Sequence, residues 1–156
     1  MTSGGSRKWV GVQVHPTLSA AASSLRAQGF RLVAAHQSTK AEDYRDVDYT
    51  HPVALLLGSE LIGVSREAAE LADAHVVIPM QGMVSSLNVS VAAALILYEA
   101  RRQREASGLY DSCRLDDEIY ATTLFEWAYP EVAARYRKQE RPYPALDEEG
   151  YIKVPE

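Results

Sequence analysis

Three short apolar runs of the sequence each end in a turn of small or polar residues, and these turns are the positions best suited to chemistry. The turns begin at Ala35-His36, Leu57-Gly58 and Ile78-Pro79. If the runs are neighbouring parallel strands, their carboxyl ends share one crevice, which is where open sheets bind ligands. Glycine in the second turn permits close approach of a ligand to the backbone. Together the three turns favour a ligand site over ordinary chain reversals.

The third turn leads to Ser86 and Asn88, whose hydroxyl and amide groups precede a strong helical pattern. No histidine lies at a spacing that would activate Ser86 as a nucleophile. Both side chains also suit the amino-terminal cap of a helix, and Glu60 in the second turn also suits a solvated loop. From residue chemistry alone, a structural role and a ligand-binding role both remain open for these three residues.

Phosphate-binding and metal-binding patterns are missing from the sequence. The chain has no glycine-rich run ending in Gly-Lys-Ser or Gly-Lys-Thr and no Gly-x-Gly-x-x-Gly, so neither a nucleotide triphosphatase nor a dinucleotide-binding protein is supported. The histidines His15, His36, His51 and His75 lack the paired spacing of metal ligands. We therefore predict a ligand that is not held by its phosphates, and no metal.

Strands are predicted from two kinds of apolar pattern. Alternating valines predict a half-buried strand over Lys8–Val14. Continuous apolar runs predict buried strands over Phe30–Ala35, Val53–Leu57 and Val76–Ile78. The polar segment Gln37–Pro52 is predicted to be a loop.

Helices are predicted over Thr17–Gln28, Ser65–Asp73 and about Asn88–Glu105. The first residue of each of the first two segments is a suitable cap, and Gly29 is placed as a left-handed terminator. Alternation of strands and helices predicts an α/β fold with a mostly parallel sheet and helices on both faces.

Composition supports one ordinary soluble domain with a tail, because 156 residues that are 47% hydrophobic and 24% charged can bury a sizeable core. The net charge of −5 argues against broad attraction to a polyanion, so any nucleic-acid contact must come from a local basic site. The single cysteine, Cys113, cannot form an internal disulfide, and neither a leader nor a membrane-length apolar run is seen. We therefore predict a cytoplasmic protein.

Two ordered motifs carry a resemblance to a known family. One is Leu57–Ser65, and the other combines Ile78–Met80 with Ser86–Ala92. Together they resemble the second and third motifs of the SPOUT superfamily of RNA methyltransferases, in its TrmH branch. The similarity is closest to tRNA guanosine 2'-O-methyltransferases that modify the D-loop, and it runs from about Ser6 to Tyr151.

The resemblance implies a SPOUT-type α/β trefoil knot with a helical carboxyl-terminal extension. The helix from about Asn88 to Glu105 would be threaded through a loop formed by the preceding segments. Residues 1–108 would form the knot domain and residues 109–156 the extension. The knot's loops would hold S-adenosylmethionine in a bent form, and the matching cofactor-binding positions are Ala35, Gly58, Ile78 and Leu87, with Met80 nearby.

The resemblance also places Glu60, Ser86 and Asn88 in the reaction site as its catalytic group. In methyl transfer the sulfonium donor is already activated, so the protein has to align the ribose 2'-oxygen and help to remove its proton. Carboxylate, hydroxyl and amide groups can orient the donor and the substrate.

The chain departs from the family pattern at its start. The usual first segment carries an Asn and an Arg near the reacting ribose, and Thr2–Val10 resembles a stretch that follows that segment. No Arg of this chain is therefore assigned the hydroxyl-activating role, and we expect in-frame upstream DNA to encode both residues. Two smaller departures are Leu61, where a basic residue is common, and Ser85, where Gln is usual.

RNA binding is expected from Arg102 and Arg104, which match positions that face tRNA in the family. Both lie near the carboxyl end of a predicted helix, where the helix dipole also favours cations, so helix stabilisation is the alternative. The resemblance further implies a homodimer. Leu95 and Tyr98 can contribute to its interface, although a core within one chain is equally consistent.

Two functions of different classes follow. The first is S-adenosylmethionine-dependent 2'-O-methylation of a tRNA guanosine. The second is a knotted module that binds cofactor or dimerises without catalysis, because it lacks the activating Arg. A third and more generic possibility is a nucleotide-binding α/β domain of another kind.

Overall fold

A computed structural model of the protein describes residues 10–83 and 86–153. One compact unit spans Gln13–Ser112, and a second is built mainly from the residues after it. The elements of the described chain, in order, are α1 (Leu18–Ala27), β1 (Arg31–Ala35), β2 (Glu42–Asp43), β3 (Val53–Leu56), α2 (Arg66–Leu71), β4 (Ala74–Val77), α3 (Val89–Ala106), α4 (Asp117–Ala128) and α5 (Pro130–Lys138).

The strands of the first unit form one parallel sheet in the order β2-β4-β1-β3. Val33 of β1 lies opposite Leu55 of β3 on one side and Ala74 of β4 on the other. The three predicted buried strands are therefore neighbours, and their carboxyl ends lie at the same edge of the sheet. The predicted parallel α/β architecture is confirmed.

Consecutive residues of β1 pack under helices on opposite faces of the sheet. Ala34 belongs to a cluster with Val64 and Ala68, and α1 and α2 contact β1. Val33 belongs to a second cluster with Ile96 of α3. Because successive side chains of a strand point to opposite faces, helices cover both sides, as predicted.

The predicted caps are present at the helix starts. Thr17 Oγ1 accepts a hydrogen bond from Ala20 N at 3.1 Å, and Ser65 Oγ accepts one from Ala68 N at 3.1 Å. Gly29 follows the first helix with a φ of +82°, the left-handed conformation that glycine adopts without strain. Local side-chain chemistry therefore sets these boundaries.

The second helix ends at Leu71, near Asp73 as predicted, and the Asp73 carboxylate contacts other elements. It accepts hydrogen bonds from Leu32 N at 2.7 Å and from the Arg26 guanidinium at 2.8 Å. Burial by itself raises the pKa of Asp73, but these hydrogen bonds outweigh it and the net pKa is lowered. The ionised carboxylate thus ties the start of β4 to β1 and α1.

The strand predicted over Lys8–Val14 is wrong for the part that the structure describes. The residues from Val10 to Val14 have no regular structure, and Val14 is 91% exposed. An alternating pattern becomes a strand only when a neighbour supplies hydrogen bonds, and no described strand pairs with this segment. Lys8 and Trp9 lie outside the described residues.

The prediction of a loop over Gln37–Pro52 is also wrong in part. β2 lies within this segment and pairs with β4, with Glu42 opposite Val76. Val47 and Tyr49 are each only 2% exposed and join the core beside Ile96. Their burial depends on distant partners, so a polar local sequence concealed it.

The described residues of the second unit form two helices packed through aromatic side chains, and α5 begins at Pro130. Phe125 is 1% exposed and stacks on Tyr143 with ring centroids 4.7 Å apart. Phe125 therefore belongs to the core of this unit. Trp127 on the same helix is half exposed. Within the described residues, no helix is long and apolar enough to cross a membrane.

Candidate active site

A cleft of about 590 Å³ lies where β1, β3 and β4 end and α3 begins. Its volume is within the range of small-molecule sites. Every residue predicted to bind the cofactor or to line the reaction site borders it, namely Ala35, Gly58, Glu60, Ile78, Met80, Ser86, Leu87 and Asn88. The structure thus brings together positions that are up to 53 residues apart in sequence (35 to 88).

The turn after β3 is closed by two backbone hydrogen bonds between Ser59 and Gly63, at 3.1 and 2.8 Å. A Cβ atom on Gly58 would lie 1.8 Å from the carbonyl carbon of Gly63, so no larger residue fits there. Gly63 itself has a φ of +70°. Both glycines are therefore needed for the turn, which holds Glu60 at the edge of the cleft.

Asn88 caps α3 and also contacts Glu60 at the edge of the cleft. Its Oδ1 accepts a hydrogen bond from Ser90 N at 2.8 Å and caps α3, while its Nδ2 donates to Glu60 Oε1 at 3.2 Å. An amide side chain can do both because it carries an acceptor and a donor. The helix start and the glycine turn are thereby joined across the cleft.

The inner wall of the cleft is largely apolar. Ile78 and Leu87 are half-buried, Met80 is 37% exposed, and Ala92 and Ile96 of α3 complete the wall. Ile78 also packs against the core, so it is both a core residue and a lining residue of the cleft. An apolar slot edged by backbone groups suits a flat aromatic ring such as adenine.

Charged groups are few in the cleft. Among the described lining residues, Glu60 is the only carboxylate, and no lysine or arginine is present. Leu61, at the position that is often basic in the resembled family, is 98% exposed beside it. Ser85, the other departure, lies outside the described residues. The described part of the chain also holds no cluster of three or more residues able to bind a metal ion.

The sequence did not single out every lining residue as a site residue, and two polar examples follow β1. His36 and Gln37 follow β1 and border the cleft beside Ala35. His36 N donates to Val76 O at 3.1 Å, which continues the ladder between β1 and β4 beyond the strand. The position of His36 in the first turn was the available signal, but nothing in the sequence indicated how its ring is oriented.

Arg102 and Arg104 lie on α3 and do not border the cleft. Arg102 makes two hydrogen bonds to Glu99, at 2.7 and 2.8 Å. The hydrogen bond from Arg102, followed by that from Gln103, lowers the pKa of Glu99 to about 2. Arg104 donates to Tyr49 O at 2.8 Å and to His51 O at 3.2 Å. Its guanidinium therefore anchors the segment before β3 onto α3.

Comparison with protein families gives two matches that together cover most of the chain. The SpoU rRNA methylase family matches residues 1–98, and the carboxyl-terminal family of the SpoU rRNA methylases matches residues 102–155.

Two curated relatives from different organisms share one enzyme name. The tRNA (guanosine(18)-2'-O)-methyltransferase of Escherichia coli K12 is 44% identical over 152 residues, which are 96% of this chain and 66% of the relative. The enzyme of the same name from Thermus thermophilus is 56% identical over 126 residues, which are 81% of this chain and 65% of the relative. The chain thus spans about two thirds of the length of these relatives.

Solved structures agree with this similarity. The A. aeolicus TrmH/SpoU tRNA modifying enzyme matches with a TM-score of 0.74 and 45% identity, over 81% of this chain and 64% of that one. The SpoU methyltransferase AviRb from Streptomyces viridochromogenes, solved in complex with AdoMet, matches with a TM-score of 0.54 and 38% identity, over 58% of this chain and 38% of that one.

Proposed function

Because the chain belongs to the SpoU rRNA methylase family and is of the TrmH type, we propose that the protein transfers a methyl group from S-adenosylmethionine to the 2'-oxygen of a guanosine ribose in tRNA. The observation that carries this proposal is the single cleft in which the apolar wall meets the hydrogen-bonded pair Glu60 and Asn88. The relatives' name supports a tRNA guanosine as the substrate, and the AdoMet complex supports the cofactor.

The cleft residues fit the cofactor in chemical type. The apolar side chains of Ile78 and Leu87 would face the adenine ring, with Met80 close by, and the turns at Ala35 and Gly58 would offer backbone donors and acceptors. The bound cofactor would supply an electrophilic methyl group. The adenosine part of this ligand is uncharged, so few fixed charges are needed in the wall that would hold it.

On the reaction side, Glu60, Ser86 and Asn88 would orient the ribose. Asn88 holds the Glu60 carboxylate in place and has a second amide hydrogen available by its chemistry. The hydroxyl of Ser86 lies at the exposed rim of the cleft, where a nucleotide would enter. Positioning of this kind accounts for a large part of the rate in reactions of two bound partners.

A ribose hydroxyl is a weak acid, and proton removal needs help from a base or a cation. The described lining of the cleft contains Glu60 as an acceptor and no arginine. This composition favours the second candidate function, a knotted module that binds cofactor without catalysis. Under the first candidate, a group beyond the described lining residues assists proton removal.

The proposal extends to a trefoil knot, with α3 as the threaded helix, and to a homodimer. Val91, Leu95 and Tyr98 follow one another at helical spacing on α3 and are 47%, 39% and 71% exposed. A row of exposed apolar side chains is typical of an interface. Arg102 and Arg104 remain the proposed tRNA contacts. A tRNA substrate implies a cytoplasmic protein. The division into domains 1–108 and 109–156 stays a prediction.

The test of the proposal is incubation of the full chain with methyl-labelled S-adenosylmethionine and unmodified tRNA, together with a cofactor-binding titration. Label in the tRNA supports the enzyme. Cofactor binding without label in the tRNA supports the non-catalytic module. Absence of cofactor binding rejects both the enzyme and the cofactor-binding module. Cofactor binding that is unchanged when Asn88 or Gly58 is replaced would instead favour the generic nucleotide-binding domain.

A further inference from the structure

A second cavity, of about 850 Å³, adjoins the cofactor cleft and shares His36 and Val64 with it. One side is formed by the turn after β1 and the other by α2 and the start of β4. His75, the second residue of β4, stands between these two sides. Neither the cofactor contacts nor the proposed reaction involves this residue.

The hydrogen bonds of His75 define which ring nitrogen carries the proton. Nε2 lies 2.8 Å from the carbonyl oxygen of Ala69, which can only accept, so Nε2 is protonated. In the neutral ring, Nδ1 then has a lone pair, and it lies 2.8 Å from Ser38 Oγ. The Ser38 hydroxyl therefore donates to Nδ1. The imidazole ring of His75 acts as a rigid link from α2 to the turn after β1.

This link acts on both walls of the cofactor cleft. On the β1 side, His36 and Gln37 border the cleft directly before Ser38, and the ring of His36 meets the ring of His75 edge-to-face with centroids 5.3 Å apart. On the other side, Val64 borders the cleft and leads through the Ser65 cap into α2. The His75 side chain thus connects the two walls.

We infer that His75 is a positioning residue for the cofactor, holding the turn after β1 against α2 through Ser38 and Ala69. The inference rests on the proposed cofactor site. A turn released from this link has to be ordered when the cofactor binds, and that ordering lowers affinity. Loss of one hydrogen bond of this kind corresponds to roughly a five- to tenfold weaker binding.

The test is a calorimetric titration of S-adenosylhomocysteine into the full chain and its variants. Ser38→Ala is expected to weaken binding about five- to tenfold, and Ser38→Thr, which keeps the hydroxyl, to restore it. His75→Gln is expected to weaken binding similarly, and Ser38→Ala is expected to add nothing in the His75→Gln background, because the two share one interaction. Ser24→Ala is the matched control, since Ser24 is a half-buried hydroxyl that accepts from Gln28 at 3.3 Å on α1.

Nitrogen NMR of the histidines provides a readout that loss of stability does not imitate. In its neutral form, the His75 ring is expected to show a protonated Nε2 and an unprotonated Nδ1. The inference is overturned if the parent binds S-adenosylhomocysteine and Ser38→Ala binds equally well, or if the opposite tautomer is observed. If the parent itself does not bind, the proposed cofactor function has failed, and the inference falls with it.

Discussion

Asn88 and Glu60 are hydrogen-bonded to each other across 28 residues of sequence, with 3.2 Å between Asn88 Nδ2 and Glu60 Oε1. The same amide caps α3 through its oxygen. One side chain therefore fixes the start of the helix and the orientation of the carboxylate in the cleft. Substitutions that keep one of these functions and remove the other can separate them.

Asn88→Asp is expected to keep the helix cap and to lose the link to Glu60. An aspartate accepts from Ser90 N equally well, but it places a second carboxylate against Glu60. We predict that the free energy of unfolding of Asn88→Asp stays within about 0.5 kcal/mol of the parent, whereas Asn88→Ala loses about 1 kcal/mol. Urea denaturation measures this difference.

Cofactor affinity gives the second half of this comparison. Both variants are expected to bind S-adenosylhomocysteine more weakly than the parent, because Glu60 is no longer held. Unchanged affinity in Asn88→Asp would show that the hydrogen bond between the two residues does not shape the site.

Gly58→Ala is expected to disrupt the turn after β3. The added Cβ would meet the backbone of Gly63 at 1.8 Å, and backbone cannot move aside as a flexible side chain can. We predict a loss of more than about 2 kcal/mol in the free energy of unfolding, together with loss of cofactor binding. Gly11→Ala is the control, since nothing lies within 4 Å of its Cβ position. Equal stability of the two variants would contradict the turn geometry.

Tyr49→Phe is expected to stabilise the protein. The Tyr49 hydroxyl is buried and has no hydrogen-bond partner among the described residues, and burial, followed by the charge of Glu99, raises its pKa to about 12. Removing an unsatisfied buried hydroxyl is predicted to add about 1 kcal/mol to the free energy of unfolding.

The control for this prediction is Tyr129→Phe. The Tyr129 hydroxyl donates to Gly150 O at 2.9 Å, so its removal is expected to destabilise the second unit. Destabilisation by Tyr49→Phe of the same size as that by Tyr129→Phe would show that Tyr49 has a partner after all.

Acid is expected to weaken the interactions that Glu99 makes with neighbouring side chains of α3. The pKa of Glu99 is lowered from its ordinary 4.5 to about 2, chiefly by Arg102. A carboxyl group with a depressed folded-state pKa stabilises the fold above its unfolded pKa, and this contribution is lost as pH falls from about 4.5 to about 2. Glu99→Gln is therefore predicted to show a smaller loss of stability over this range than the parent does.

The comparison variant for this pH dependence is Glu105→Gln. Glu105 is an exposed residue of the same helix, 3.9 Å from Arg101. The stability of Glu105→Gln is expected to change with pH as that of the parent does. A Glu99→Gln curve that also follows the parent would contradict the role given to Glu99.

Arg102 and Arg104 are expected to differ when each is replaced by alanine. Arg104 bridges two backbone carbonyls, so Arg104→Ala is predicted to lose about 1 to 2 kcal/mol in the free energy of unfolding. Arg102 is 67% exposed, so Arg102→Ala is predicted to weaken tRNA binding and to reduce the slope of its salt dependence by about 1. Fluorescence anisotropy with labelled tRNA across a salt series measures the slope. An unchanged slope in Arg102→Ala would remove Arg102 from the interface.

The features that local sequence determines were predictable. Continuous apolar runs identified β1, β3 and β4, and the Thr17 and Ser65 hydroxyls identified helix starts. β2 and the burial of Tyr49 were missed because they depend on pairing with β4 and packing under α3. The alternating valines before α1 were misleading because no described strand pairs with them.

The residues of the candidate site were predictable from motif order, but their contacts were not. Asn88 was weighed as a cap or as a site residue, and the structure shows that its cap and its contact with Glu60 coexist. The link from Ser38 through His75 to Ala69 joins three segments that no sequence pattern relates. Side-chain geometry between distant segments is what the sequence alone did not supply.

The most direct measurement of the central claim uses two tRNA transcripts that differ only at the ribose 2'-position of the target guanosine. One carries a free ribose 2'-hydroxyl and the other a 2'-O-methyl group, and each is incubated with the full chain and methyl-labelled S-adenosylmethionine. We predict label on the first transcript and none on the second. Cofactor binding with no label on either, or equal label on both, would contradict 2'-O-methylation by this chain.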